Sequence, residues 1–383
     1  MSKPTVLVTE GSDAKPLDWL REHANVVEIN YDDPGFDAAL ATADGMVVRT
    51  YTKVNAAMLA KAPRLKVVGR GGVGLENIDV PACRARGVQV VYTPDANTLA
   101  VGDFVFGYAL QLLRPWAFFK SAVYDPKEFK RIRNTVRGRQ LNELTIGILG
   151  MGRVGHRVGR IAAHGFGMRV IYNDILDIPA SSLPFPATAV DKPTLYRESD
   201  ILSLHVTMIP GNENLVGREQ LAMMKPDAIL INTSRGEVLD AAALREAILS
   251  KRLAGAALDV FWPEPPGPDF PLLGLENVLL TPHLAARTYT AIENMSWVTR
   301  DIVEVLDAAA LREAIVNKRL AGAALDVFWP EPPEPGFPLL GLDNVLLTPH
   351  LAARTYTAIE NMSWVTRDIV EVLEGRRPKY PAP

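Results

Sequence analysis

The sequence predicts an α/β protein with two doubly wound parallel sheets, a cleft between them, and a surplus α/β segment. Three observations carry this. Short apolar runs of strand length alternate with helical stretches from Thr5 to about Leu306, the pattern of parallel strands covered on both faces. A glycine-rich turn joins one such run to the helix after it, and an acidic residue closes the next run. Residues 239–305 recur almost unchanged as 306–372. With 48% hydrophobic and 22% charged residues, the 383-residue chain reads as globular, with room for two or three domains.

Composition also excludes function classes. A net charge of −3 makes no global electrostatic case for nucleic acid or an anionic membrane. Cys83 is the only cysteine, so no internal disulfide forms, which suits a reducing compartment. MSKPTVLVTEG runs into a strand without a signal-peptide pattern, and no apolar run reaches the roughly 18 residues of a membrane span. A cytoplasmic protein with no membrane association is the expectation.

Taken in order, residues 4–97 form a first unit. Strands are expected at 5–9, 26–29, 45–48, 65–68 and 88–91, and helices at 17–23 and 36–41 and around Met58 and Leu59. Two of its loops follow strand C-termini, where open α/β sheets place ligands: 49–52, with Arg49, and 70–79, with Gly72 and Val73. The glycines of the second loop make either an anion-binding nest of N–H groups or a plain turn. Residues 97–113 read as an apolar helix capped at Asn97 or Thr98. Residues 114–143 read as irregular and basic, either a solvated arm at a dimer interface or the source of an arginine for an anionic substrate.

The rest of the chain is arranged around residues 144–174. Ile146, Ile148 and Leu149 make a buried strand that runs into Gly150-Met151-Gly152-Arg153-Val154-Gly155. A helix comes next with Val158, Ile161 and Ala162 on one face, then a strand at 168–172 and Asp174. Gly150 permits the tight turn, Gly152 lets backbone approach a pyrophosphate, and Gly155 lets the helix pack close. The helix N-terminus offers N–H groups and partial positive charge to phosphates. A carboxylate at Asp174 would accept from ribose hydroxyls and repel a 2′-phosphate, favouring NAD over NADP. The bland alternative is a β-α-β turn with no ligand.

Further strands are expected at 199–205, 228–233, 256–261 and 278–280, with helices at 221–224 and 241–249 and a closing helix from about 289 to 306. The strand ends deliver Arg235, Glu264 and His283. His205 also ends a strand and is read as structural.

The repeat differs at five pairs only: Leu249/Val316, Ser250/Asn317, Gly267/Glu334, Asp269/Gly336 and Glu276/Asp343. This is the mark of a tandem duplication of part of a domain, or of an error in the recorded sequence. Two near-identical segments then compete for one place in a sheet. Chain connectivity gives copy one a modest preference, since it adjoins the Arg235–Gly236 loop directly, while copy two must loop copy one out. The surplus copy is expected to pack on a sheet edge or the protomer surface, or to be poorly ordered.

On these motifs the chain resembles the D-isomer-specific 2-hydroxyacid dehydrogenases, the group of D-3-phosphoglycerate dehydrogenase and glyoxylate/hydroxypyruvate reductase. The pieces are Val48-Arg49-Thr50, residues 68–79, Gly147 to Gly155, residues 231–236 and 255–261, Glu264-Pro265, and Thr281-Pro282-His283. The resemblance implies two Rossmann-like domains: residues 1–97, flavodoxin-like and substrate-binding, completed by a helix returning at about 289–306, and residues 98–288, binding NAD. Residues 306–383 are then the duplicate and tail. It implies a catalytic set of Arg235, Glu264 and His283, and cofactor contacts by Arg153, Val154, Asp174, Val206, Thr233, Ser234 and Asp259 besides the glycines. Substrate contacts are implied for Arg49, Gly72 and Val73, and a homodimer is usual. Gly102-Asp103 stands where the family commonly has Ala-Glu. The duplicate supplies spare partners at Asp326, Glu331 and His350.

The chemistry fits those residue types. Reduction of a 2-keto acid needs a clamp on the carboxylate, a polarised carbonyl and a proton donor. A guanidinium binds carboxylates bidentately, and histidine titrates near neutrality. A nearby carboxylate at Glu264 favours the imidazolium. The expected activity is interconversion of a D-2-hydroxy acid and its 2-keto acid, with 3-phosphoglycerate and glycerate/hydroxypyruvate as candidates. An NAD-binding corepressor of the same fold, or a catalytically impaired duplicate, is the alternative.

Overall fold

The structure, a computed structural model, describes residues 3–114, 126–135, 137–325, 333 and 337–347. The first sheet is built from β1 (Thr5–Val8), β2 (Asn25–Glu28), β3 (Gly45–Val48), β4 (Val67–Arg70) and β5 (Gln89–Tyr92), ordered β2-β1-β3-β4-β5 and all parallel. Its helices are α1 (Ala14–His23), α2 (Phe36–Leu40), α3 (Ala56–Ala60) and α4 (Val80–Ala85), each of α1, α3 and α4 started by an Asp or Asn side chain accepting a first-turn N–H.

Helix α5 (Thr98–Leu113) leaves this unit and packs under the second sheet, its Tyr108 hydroxyl donating to Leu258 O at 3.2 Å. Within the stretch read as irregular, Pro126–Thr135 is helical (α6). That corrects the sequence reading: the residues are strongly polar, so no apolar stripe announced a helix. The second sheet holds β6 (Thr145–Leu149), β7 (Arg169–Asn173), β8 (Thr188–Ala189), β9 (Ile201–Leu204), β10 (Ile229–Asn232), β11 (Gly255–Leu258) and β12 (Val278–Leu280). It is parallel, in the order β12-β11-β10-β9-β6-β7-β8. Helices α7 (Arg153–Arg160), α8 (Lys192–Glu198), α9 (Arg218–Met223) and α10 (Ala241–Leu249) cover it. Every residue of β6, β9, β10 and β11 is buried, as two covered faces require.

After β12 the chain forms α11 (Tyr289–Ser296) and α12 (Val298–Val316), which returns to the first sheet. Ile302 there is fully buried over two glycines. A Cβ on Gly69 would stand 2.5 Å from Ile302 Cδ1, and one on Gly45 would stand 3.1 Å from Ile302 Cγ2. The helix does not stop near residue 306 as expected. Asp240 caps α10 by accepting from Ala243 N at 3.0 Å. Its counterpart Asp307 lies inside α12, because the residues before it are already helical and no breaker separates the copies.

Copy one occupies the place beside β10, with Leu230 opposite Ala256 and Ile231 opposite Ala257. Copy two repeats the local fold elsewhere. Strands β13 (Ala323–Leu325) and β14 (Val345–Leu347) pair in the register of β11 with β12. Asn344 Nδ2 donates to Ala321 O at 2.7 Å, as Asn277 Nδ2 does to Ala254 O at 2.6 Å. Phe337 and Leu339 are buried, and Phe337, Pro338 and Leu340 border, with the end of α12, a cavity of about 610 Å³ that also touches Lys66 and Gln89 of the first unit. Asp326, Glu331 and His350 lie outside the described residues.

Candidate active site

The glycine turn has the geometry its residues imply. Gly150 has φ +96°, and a Cβ there would stand 2.6 Å from His205 O, which seats Val206 beside the turn. A Cβ on Gly155 would meet Gly150 O at 2.2 Å, so helix and strand touch there. Around Gly152, the N-cap of α7, a Cβ would meet nothing within 4 Å. That open side is where a phosphate can approach the helix N-terminus. Arg153 reaches across to Asp95 at 2.7 Å, and Val154 packs at the margin of the core.

Asp174 directly follows β7 with both oxygens anchored, accepting from Met151 N at 2.6 Å and Leu176 N at 2.9 Å. Beside it Ile175 and Leu176 are largely exposed, an apolar ledge for a flat ring. The hydroxyl of Thr233 is buried without a partner among the described residues, an orphan that a bound group would satisfy. Ser234 is buried, its N–H and Oγ both directed to Asn232 Oδ1 at 3.0 and 2.8 Å. These features fit a dinucleotide.

Arg235, Glu264 and His283 come after β10, β11 and β12, three neighbouring strands. Asn232 shapes the first loop by donating from Nδ2 to Arg235 O at 2.8 Å. A Cβ on Gly236 would stand 2.0 Å from Phe261 O, so this loop presses on the one that carries Glu264. Glu264 Oε1 lies 2.7 Å from His283 Nδ1. Burial alone would raise the Glu264 carboxyl. The hydrogen bond and charge of His283, the Phe261 N–H and the Arg235 charge together hold it below the usual carboxylate range.

Asp259 does something other than face a cofactor from an open surface. It is 1% exposed, and its oxygens accept from Leu284 N at 2.7 Å, from Ala285 N at 2.8 Å and from the Thr281 hydroxyl. It braces the turn on which His283 sits at φ +54°. Burial pushes its carboxyl up, against those hydrogen bonds. His205 donates or accepts at Ser203 Oγ, 2.8 Å away. Enclosure of its ring lowers its pKa to about 3, so it stays neutral and structural.

In the first unit, Gly71 N and Gly72 N donate to Val48 O and Arg70 O, both at 2.9 Å, so these two N–H groups serve the turn. A filled nest exists instead at 49–52. The N–H groups of Arg49, Thr50, Tyr51 and Thr52 all donate to Glu10, at 2.7–3.2 Å. Burial raises the Glu10 carboxyl, but these donors bring it below its ordinary value. Gly72 has φ +148°, and a Cβ there would overlap Arg70 Nη1. Arg49 and Arg70 are both pulled down by burial, Arg70 to about 10, and each feels a further arginine: Arg287 for Arg49, Arg235 for Arg70. Val73 is half-buried beside them.

Sequence reasoning missed Glu10, Arg70 and Glu76. Arg70 and Glu76 stand inside the 68–79 motif, and their charge facing strand ends was the available signal. The departure at 102–103 is explained by packing. A Cβ on Gly102 would stand 2.4 Å from Arg157 Cγ, and Asp103 accepts from Arg157 Nη2 at 2.9 Å.

Comparison with known proteins decides the family. Residues 106–285 and 303–352 match the family described as "D-isomer specific 2-hydroxyacid dehydrogenase, NAD binding domain". The chain belongs to the D-isomer-specific 2-hydroxyacid dehydrogenases. It is 38% identical over 251 residues to the hydroxypyruvate reductase of Thermotoga maritima, covering 65% of this chain and 79% of that protein. It is 37% identical over 280 residues to the D-3-phosphoglycerate dehydrogenase of Methanocaldococcus jannaschii, covering 72% of this chain. This chain spans about half of that relative, 52% of its length. The crystal structure of D-lactate dehydrogenase from Aquifex aeolicus, complexed with NAD and lactic acid, superposes with a TM-score of 0.65 at 25% identity, over 83% of this chain and 96% of that one. As a member of this family, the chain carries its NAD-binding domain on the second sheet. Among the described residues no helix is long and apolar enough to cross a membrane, and no group of acidic, histidine or cysteine side chains is arranged to hold a metal.

Proposed function

We propose that this chain is a NAD-dependent dehydrogenase that interconverts a D-2-hydroxy acid and its 2-keto acid, acting as a cytoplasmic homodimer. The observation that carries the proposal is the 2.7 Å His283–Glu264 pair on loops that adjoin Arg235. Arg235 clamps the substrate carboxylate and polarises the carbonyl. His283, steadied at Nδ1 by Glu264, presents Nε2 to the substrate oxygen and delivers the proton in reduction or takes it in oxidation. Bound NADH supplies the hydride. Gly150, Gly152, Arg153, Val154 and Gly155 hold the pyrophosphate, Asp174 the ribose, and Val206, Thr233, Ser234 and Asp259 line or support the nicotinamide end.

Substrate contacts come from Arg49, Gly72 and Val73. A run of neighbouring arginines, Arg287 by Arg49, Arg49 by Arg70 and Arg70 by Arg235, supports a phosphorylated or doubly anionic substrate such as 3-phosphoglycerate over glyoxylate. A panel of 2-keto acids at saturating NADH, fixed pH and fixed salt tests this. Saturable turnover, lost in His283→Ala, is the expected result. NADH binding without turnover of any keto acid would refute the reading in favour of a corepressor-like role.

A further inference from the structure

Arg235 is gripped from the other sheet. Glu76, on the loop after β4, accepts from Arg235 Nε at 2.7 Å and from Nη2 at 3.1 Å, a two-point contact along the side of the guanidinium. Arg235 Nη1 donates to Ser234 O at 2.6 Å. A guanidinium has five N–H donors, so these contacts leave one on each terminal nitrogen for a substrate. Shape enforces the arrangement. A Cβ on Gly74 would stand 1.9 Å from Arg235 Nη2 and 2.2 Å from Glu76 Oε2, so only glycine lets the two groups meet.

We propose that Glu76 is a positioning residue that holds Arg235 side-on across the cleft, so that its remaining N–H groups meet the substrate, while offsetting one positive charge so that anionic product leaves. This rests on the dehydrogenase reading above. Four arginines (49, 70, 235 and 287) face two carboxylates, Glu10 and Glu76, in this cluster. Removing the charge of Glu76 therefore has two opposite effects. The clamp loses its orientation, and the cluster attracts anions more strongly.

The test is Glu76→Gln in the full chain, assayed with NADH and a 2-keto acid that the wild type turns over, and with oxalate as a dianionic inhibitor. The expected result is a kcat about 10- to 100-fold lower, as misplacement of a clamp by about 1 Å costs, with oxalate binding tighter by roughly 3- to 10-fold. Glu76→Asp restores the charge with shorter reach, so oxalate affinity returns to the wild-type value. An unchanged kcat overturns the proposal. So does a joint fall of kcat and oxalate affinity, which is what a purely structural role produces. A wild-type chain that turns over no 2-keto acid refutes the underlying reading instead, and is seen before any variant is made.

Discussion

Replacing Asp259 by Asn separates bracing of the histidine turn from contact with the cofactor. In the structure its carboxylate is buried and accepts from Leu284 N, Ala285 N and the Thr281 hydroxyl. An amide of the same shape keeps one acceptor oxygen and turns an NH₂ toward a second donor. The Thr281 hydroxyl still has Tyr108 as a partner, so the loss falls on the two N–H groups. One buried N–H left unsatisfied costs about 1–3 kcal/mol, and the lost charge assistance adds about 1 more, so the variant is destabilised by roughly 2–4 kcal/mol. At about 2–4 °C per kcal/mol for a domain of this size, Tm falls by roughly 5–15 °C. The turn also carries His283, so kcat falls, by about 100-fold if the imidazole shifts by about 1 Å. The assays are thermal unfolding without cofactor and kcat at saturating NADH. If the cofactor-free Tm is unchanged and only KM for NADH rises, Asp259 acts on the cofactor alone and the brace argument is wrong.

Three other outcomes are expected. Asp174→Ala removes the carboxylate at the end of β7, so NADH binding weakens by about 10- to 100-fold as charge-assisted hydrogen bonds of roughly 1.5–3 kcal/mol are lost, and the NADH-over-NADPH ratio of kcat/KM falls; an unchanged ratio removes the ground for NAD selectivity. Deleting residues 306–372 joins Val305 to Leu373 and rebuilds the Glu-Val-Leu junction. Because copy one holds the place beside β10, the shortened chain should keep wild-type kcat and KM in steady-state assays, and loss of activity would show that copy two is needed. Asp301 on α12 is raised to about 7 by burial and by Glu304, against Arg300. A raised carboxyl stabilises below its unfolded value of about 4, and that contribution is lost as pH rises through about 7. Asp301→Asn should therefore raise Tm at pH about 8 by more than at pH about 5, the difference in stabilisation between the two being kept by solvent screening to roughly 1–3 kcal/mol. Equal shifts at both pH values would contradict it.

Most strands were legible because parallel, doubly covered strands are short apolar runs, and β6, β9, β10 and β11 are of that kind. The three residues beyond the ends of β10, β11 and β12 could be placed together once the strand ends were located, since neighbouring parallel strands deliver their C-termini to one side. The part that was not legible is non-local. Glu76 and Arg235 are 159 residues apart, and nothing in either loop alone says that they meet. Glu10 fills the nest at 49–52 from a different strand end. Copy two misled at its junction. Asp307 has the sequence of a helix start, yet lies in a continuous helix, because a cap residue acts only where the backbone before it is free to leave the helix. The preference for copy one came from connectivity, and the structure shows copy one beside β10.

The most direct test tracks the hydride. With NADH deuterated at its transferable position and a 2-keto acid from the panel, the product should carry one deuterium on its hydroxyl-bearing carbon, in the D configuration, mole for mole with NADH consumed, and Arg235→Ala should abolish the transfer. NADH consumed without deuterium at that carbon, or an L product, would contradict a cleft in which Arg235 holds the acid and His283 delivers the proton.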